Sequence, residues 1–157
     1  MTTPRLDHTF FDNEVRPHFG SVLLSTKLLS PEQLDHALAV QRGSGKRIGQ
    51  VLIELGFLYE QDIARAIAIQ HDLPYIDLEA SSVDPRAAAR LRPDVGQSLE
   101  AIPVRFDSDR LLVAVADPER APEERLTAET GCRLSLCVGE PLVILTAWRR
   151  LLRGQRA

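Results

Sequence analysis

The apolar positions of this chain follow two regimes. From His18 to Gln70 they recur at helical spacing. Phe19, Val22 and Leu23 make one stripe, and Leu34, Ala37, Leu38 and Gln41 follow at i, i+3, i+4, i+7. Ser30-Pro31-Glu32-Gln33 marks a helix start: a serine N-cap, proline in the first turn, and glutamine to close a capping box. Gly56 is placed to end the helix before it in the left-handed conformation, and Tyr59 stands where the next helix would want a capping serine.

These helices repeat. Displacing the sequence by 29 residues lays residues 18–41 over residues 47–70. Identical pairs are Gly20/Gly49, Val22/Val51, Leu23/Leu52, Leu29/Leu58, Ala37/Ala66, Ala39/Ala68 and Gln41/Gln70. Phe19/Ile48, Leu24/Ile53, Leu28/Phe57, Leu34/Ile63, Leu38/Ile67 and Val40/Ile69 exchange one large apolar residue for another. Apolar matches arise easily between two leucine-rich helices, but glycine and glutamine at shared places do not. One helical hairpin is used twice.

After Gln70 the pattern turns mixed. LPYIDL (73–78) reads as a short strand and DPRAAARL (84–91) as a helix opened by Asp-Pro. AIPVRF and RLLVAVAD flank Asp107-Ser108-Asp109 as a hairpin. PERAPEERLTAET then predicts a helix, CRLSLCVG a strand and EPLVILTAWRRLLR a closing helix. The fold class expected is α+β: a four-helix N-terminal unit of two repeated hairpins (17–72), then a small mixed α/β subdomain (73–153). Residues 1–16 and 154–157 are expected to be tails.

Composition changes little in this picture. The chain is 44% apolar and 26% charged, with only 5% aromatics, so its cores must rest on Leu, Ile, Val and Ala. A formal net charge of -3 gives no global attraction to nucleic acid or anionic lipid. The first twenty residues lack the apolar run of an export signal, and no apolar stretch could span a bilayer, so a cytoplasmic location without membrane insertion is expected. Cys132 and Cys137 should point to opposite faces of a strand-like segment, as free thiols rather than a disulfide or metal pair.

Catalytic and cofactor chemistry finds no foothold. Gly43-Ser44-Gly45-Lys46 suggests a phosphate loop, but Arg47 stands where Ser or Thr would hold magnesium and no strand precedes the glycines. His8, His18, His36 and His71 have no metal-ligand spacing with Cys, Asp or Glu. No nucleophile elbow or Cys/His pairing stands out. The expectation is a ligand-binding or docking domain that is not an enzyme and holds no cofactor or metal.

The repeat resembles the MshEN family, the N-terminal domain of the ATPases that drive type II secretion and type IV pilus assembly. That family's motif, R-L-G-x-x-L-x-x-x-G-x-x-x-x-x-x-L-x-x-x-L-x-x-Q, occurs twice with five residues between, here residues 42–46. LPYIDL and VAVADP are also similar to the segments downstream of the motifs in the family. The resemblance implies a regulatory domain that binds cyclic di-GMP, a ligand whose own two-fold symmetry suits duplicated half-sites. It implies that an arginine fork meets a guanine edge, that glycine lets backbone approach phosphate, and that leucines cover the bases. In the family the domain precedes an ATPase motor. This sequence contains no such motor, so any secretion- or pilus-type ATPase or other effector is expected on a separate chain.

Carried onto this sequence, the second motif supplies Arg47, Ile48, Gly49, Leu52, Gly56, Ile63, Ile67 and Gln70. The first supplies Gly20, Leu23, Leu34, Leu38 and Gln41, with His18 in place of Arg, Phe19 in place of Leu and Lys27 in place of Gly. Asp117 of the Ala-Asp-Pro segment is implied as a further ligand contact from the second subdomain. Imidazole lacks the guanidinium fork, so the exchange at 18 should cost roughly 1–3 kcal/mol of base recognition. Lys27 must adopt a left-handed conformation, at roughly 1–2 kcal/mol, or shift the turn. A chain in which these exchanges abolish ligand binding would remain as a protein-docking module.

Overall fold

The computed structural model describes residues 18–156, so the tail expected over residues 1–16 lies outside the described residues. The chain is α+β and divides into two compact units meeting between His71 and Asp72.

Unit one holds four helices: α1 (Phe19–Ser25), α2 (Pro31–Ser44), α3 (Ile48–Glu54) and α4 (Glu60–Gln70). The capping box at α2 is formed. Ser30 Oγ accepts the Gln33 backbone N–H at 3.2 Å, and Gln33 Oε1 accepts the Ser30 N–H at 3.0 Å. At α4 half of that device survives: Asp62 Oδ2 accepts the Tyr59 N–H at 2.9 Å, while Tyr59 offers no side-chain cap. The glycine stretch that resembles a phosphate loop is the end of α2, stopped by Gly45 at φ 66°. Val22, Leu23, Val51 and Leu52 are buried to 2% or less, and Leu29, Leu58, Ala37 and Ala66 complete the same core. The residues identical between the repeats are mostly those that fill it.

The helices do not pack hairpin by hairpin alone. α1 lies against α4 and α2 against α3, so each hairpin sends its first helix to the second helix of the other. A 29-residue shift exchanges one of these pairings for the other. The unit therefore has approximate two-fold symmetry.

Unit two holds α5 (Pro85–Ala88), α6 (Pro93–Leu99), β1 (Ala101–Asp107), β2 (Arg110–Val115), α7 (Glu123–Thr130), β3 (Arg133–Val138) and α8 (Pro141–Gly154). The sheet order is β1-β2-β3, with β1 antiparallel and β3 parallel to β2. The β1–β2 hairpin turns at Ser108, whose φ is 55°. Val104 is an extra residue in β1 between the pairs Pro103↔Val113 and Arg105↔Leu112, and its carbonyl accepts the Asp84 N–H at 2.8 Å. Trp148 of α8 is buried and donates from Nε1 to the Ala101 carbonyl at 2.8 Å, tying α8 to the start of β1.

Four expectations need correction. LPYIDL is no strand: it makes the single bridge Tyr75↔Val138 beside β3. Pro74 has no N–H to extend a ladder, and Asp77 Oδ1 draws the chain into a turn by accepting the Glu79 N–H. α5 stops at Ala88, and α6, led by Pro93, forms where no element is expected. α7 starts only at Glu123, because Asp117 closes a turn with its carbonyl accepting the Arg120 and Ala121 N–H groups. α8 runs through Gly154, into the stretch expected as a tail. Cys132 and Cys137 are free, half-buried and buried respectively. Among the described residues no helix is long and apolar enough to cross a membrane, and no cluster of His, Cys, Asp or Glu could hold a metal ion.

Candidate functional site

The motif residues of unit one fall into two equivalent sets. His18 and Arg47 are the N-cap residues of α1 and α3, with φ/ψ of −60°/140° and −71°/148°. Both side chains are exposed. Their carbonyls accept the N–H groups of Val22 at 3.0 Å and Val51 at 3.1 Å, so each helix starts in the same way. Phe19 and Ile48 follow, both half-buried.

Gly20 and Gly49 come next, each facing the second helix of its own hairpin. A Cβ built on Gly20 would lie 3.3 Å from Leu34 Cδ2, and one on Gly49 would lie 3.1 Å from Ile63 Cγ2. These glycines serve close helix packing, which places backbone near the motif surface. Lys27 and Gly56 are the left-handed residues after α1 and α3, at φ 58° and 73°. Lys27 therefore keeps the turn and accepts the strain, the first of the two options open to it.

The tails of the motifs lie on α2 and α4. Leu38 and Ile67 are half-buried, as are Gln41 and Gln70. Leu34 is buried to 9%, while Ile63 is half-buried. Leu23 and Leu52 are fully buried, at 0% exposure. They belong to the core of unit one, each contributing ~1.5–3 kcal/mol by burial. α1 packs on α4 and α3 on α2, while Gly20 and Gly49 face Leu34 and Ile63 of their own hairpins. The spacing within one motif carries no sign of that.

Some neighbours of the motifs escape a reading by motif alone. Lys46, a spacer residue, donates to both carboxylate oxygens of Glu54 at 3.0 and 2.8 Å, beside Arg47. The first repeat has Pro17 and Ser25 at the equivalent places and cannot form that pair. Leu24 and Leu28 are exposed at 36% and 44%, whereas Ile53 and Phe57 are half-buried. His36 meets the Phe57 ring edge-on, with centroids 6.0 Å apart. The repeat alignment flags these positions, but exposure separates them.

Asp117 belongs to unit two, where it comes after β2. It is half-buried, and its Oδ1 accepts the Glu119 N–H at 2.9 Å.

Comparison with known proteins agrees with this architecture. The profile of the MshEN domain matches residues 71–157. Type IV pilus assembly ATPase PilB of Thermus thermophilus is 33% identical over 97 residues, 62% of this chain and 11% of its own length. PilB of Myxococcus xanthus is 29% identical over 132 residues, 83% of this chain and 23% of its own length. The chain thus spans less than a quarter of these relatives. Among solved structures, MshE with cdg (cyclic di-GMP) has a TM-score of 0.77 at 29% identity, covering 87% of this chain and 99% of that one. That coverage exceeds unit two and so extends into the repeated hairpins. The N-terminal domain of XpsE shares the fold, with a TM-score of 0.66 at 24% identity over 84% of this chain and 92% of that one.

Proposed function

The chain belongs to the MshEN domain family, and from that premise we propose that it is a non-catalytic regulatory domain that binds cyclic di-GMP through its two repeated hairpins. The observation that carries the proposal is the symmetry of unit one. Two N-cap residues, two close-packed glycines, two left-handed turns and two glutamines recur under one 29-residue shift. A ligand with two guanines and two phosphates is matched by such a pair of half-sites. The likeness to MshE solved with cdg, over most of the chain, supports the same ligand.

In this reading Arg47 presents a guanidinium fork to guanine O6 and N7. Ile48, Ile63 and Ile67, with Phe19, Leu34 and Leu38, offer apolar surface to the bases, and Gln41 and Gln70 supply amide donors and acceptors. Gly20, Gly49 and Gly56 leave backbone within reach of phosphate. The bound state acts on an effector of the pilus or secretion type, the class to which the ATPase PilB belongs.

Calorimetric titration with cyclic di-GMP at near-physiological salt, with GMP and ATP as controls, tests the proposal. Saturable one-to-one binding selective for the cyclic dinucleotide is expected. The absence of both heat and thermal shift at high ligand concentration would overturn it and leave a protein-docking module as the reading.

A further inference from the structure

Unit two gathers positive charge around one groove. A cavity of about 260 Å³ lies between the α5–α6 connection on one side and the end of α8 on the other. Ala88, Ala89, Pro93, Leu151 and Leu152 give it apolar walls, with Trp148 beneath them. Ala89 and Pro93 are exposed and both leucines half-buried, so this apolar surface reaches solvent. The segment of the first wall carries Arg86, Arg90 and Arg92, and that of the second Arg149, Arg150, Arg153 and Arg156, all exposed. These are seven of the 19 lysines and arginines in a chain of net charge -3.

The first wall has two acids of its own: Asp84 lies 3.5 Å from Arg86, and Asp94 is paired with Arg92 at 2.6 Å. The second wall has none. No acid occurs in α8, and its arginines have no carboxylate partner among the described residues. Arg149 and Arg150 each stand one helical turn from Arg153, where like charges oppose the helix. The helix dipole rewards cations in the last turn, but Arg149 and Arg150 precede it. Arg149 and Arg156 follow the lining residues Trp148 and Gln155 by one position, which sets them along the edge of the groove.

We propose that this groove docks an acidic amphipathic helix of a partner protein. The partner seats one or two aliphatic side chains in the cavity and sets carboxylates on the arginines beside it. The cavity is smaller than the roughly 300–1,000 Å³ of sites for drug-sized molecules, which favours side chains as its occupants. A nucleic acid would use the cations and leave the apolar walls idle, and Trp148, at 2% exposure, offers no face for a base to stack on. A membrane would need an apolar helix face to insert, but Ile144 and Trp148 are committed to the core of unit two. Helices and a turn line the groove, with no sheet edge, so the partner packs as a helix and not as an added strand.

Fluorescence anisotropy of a labelled helical peptide with the full chain tests the inference. The peptide carries leucine at i, i+3, i+4 and i+7 and glutamate and alanine elsewhere. It should bind saturably, about tenfold or more tightly than a scramble of the same composition or a version with lysine for glutamate. Arg149→Glu with Arg156→Glu, at exposed positions where a thermal melt should show an unchanged fold, should weaken it by about tenfold or more. The same charge change made on α7 and β3, Arg125→Glu with Arg133→Glu, should weaken it far less. Equal affinity for the scramble, equal losses in the two double variants, or no saturation at peptide concentrations on the order of millimolar overturns the inference. A short DNA duplex or phosphatidylserine vesicles binding more tightly than the peptide overturns it as well and reassigns the arginines to phosphate. No arm contains cyclic di-GMP, so failure here leaves the function proposed for unit one standing.

Discussion

Gly49 of α3 lies so close to Ile63 of α4 that a Cβ added to it would stand 3.1 Å from the Ile63 Cγ2 methyl. The equivalent Cβ on Gly20 would stand 3.3 Å from Leu34 Cδ2. The two contacts differ in what can yield. The leucine methyl is the far end of a flexible side chain, whereas the isoleucine Cγ2 is fixed directly to a branched Cβ. Replacing a helical glycine by alanine gains about 0.5–1 kcal/mol in propensity. Gly20→Ala should therefore be neutral or mildly stabilising, and Gly49→Ala less favourable than it by about 1 kcal/mol. Urea denaturation of the two variants side by side checks this, and equal effects would refute the packing asymmetry.

The left-handed turns predict a reciprocal pair. Lys27→Gly should stabilise the protein by up to about 1 kcal/mol, because the left-handed backbone at φ 58° no longer carries a Cβ. Gly56→Ala, at φ 73°, should destabilise it by a similar amount. Denaturant midpoints with unchanged slopes would be the expected record.

Arg47→Ala should abolish ligand heat in the calorimeter while shifting stability by no more than about 0.5 kcal/mol, as exposed changes usually do. Affinity equal to that of the unmodified chain would remove Arg47 from the site.

In unit two, Gly96 admits no side chain. A Cβ there would fall 2.4 Å from Trp148 Cζ2 and 2.8 Å from Nε1, the atom that donates to the Ala101 carbonyl. Gly96→Ala should cost about 3 kcal/mol or more, since the indole is buried and cannot move without losing that bond. Trp148 is the only tryptophan, so its fluorescence reports the change directly.

Burial pushes the Cys137 thiol from its ordinary value of 9.0 up to about 12, opposed in part by the Arg105 charge. The folded state thus holds a proton that the unfolded chain releases. Its contribution is whole below pH 9 and declines as pH rises from about 9 toward 12, at about 1.4 kcal/mol per pH unit. Denaturation between pH 8 and about 10.5 should show a steeper loss for the native chain than for Cys137→Ala. Parallel slopes would mean that the thiol ionises without unfolding.

Local chemistry alone determined much of this protein. The 29-residue repeat is visible by laying the sequence over itself, and the box at Ser30 and Gln33, the stop at Gly56 and the hairpin around Ser108 each depend on residues a few positions apart. The α+β division was legible for the same reason: helical and alternating periods are written along the chain. Tertiary structure decided the rest. LPYIDL has the composition of a strand, yet Pro74 and the Asp77 turn leave it one bridge. The helix at Pro93–Leu99 has a weak apolar period of its own and is fixed by packing Gly96 under Trp148, more than fifty residues away. Leu23 and Leu52 match the motif by sequence, and only the structure shows that both are fully buried. The exchange that sets α1 on α4 and α2 on α3 was equally invisible, because sequence spacing fixes which side of a helix is apolar and not which helix will cover it.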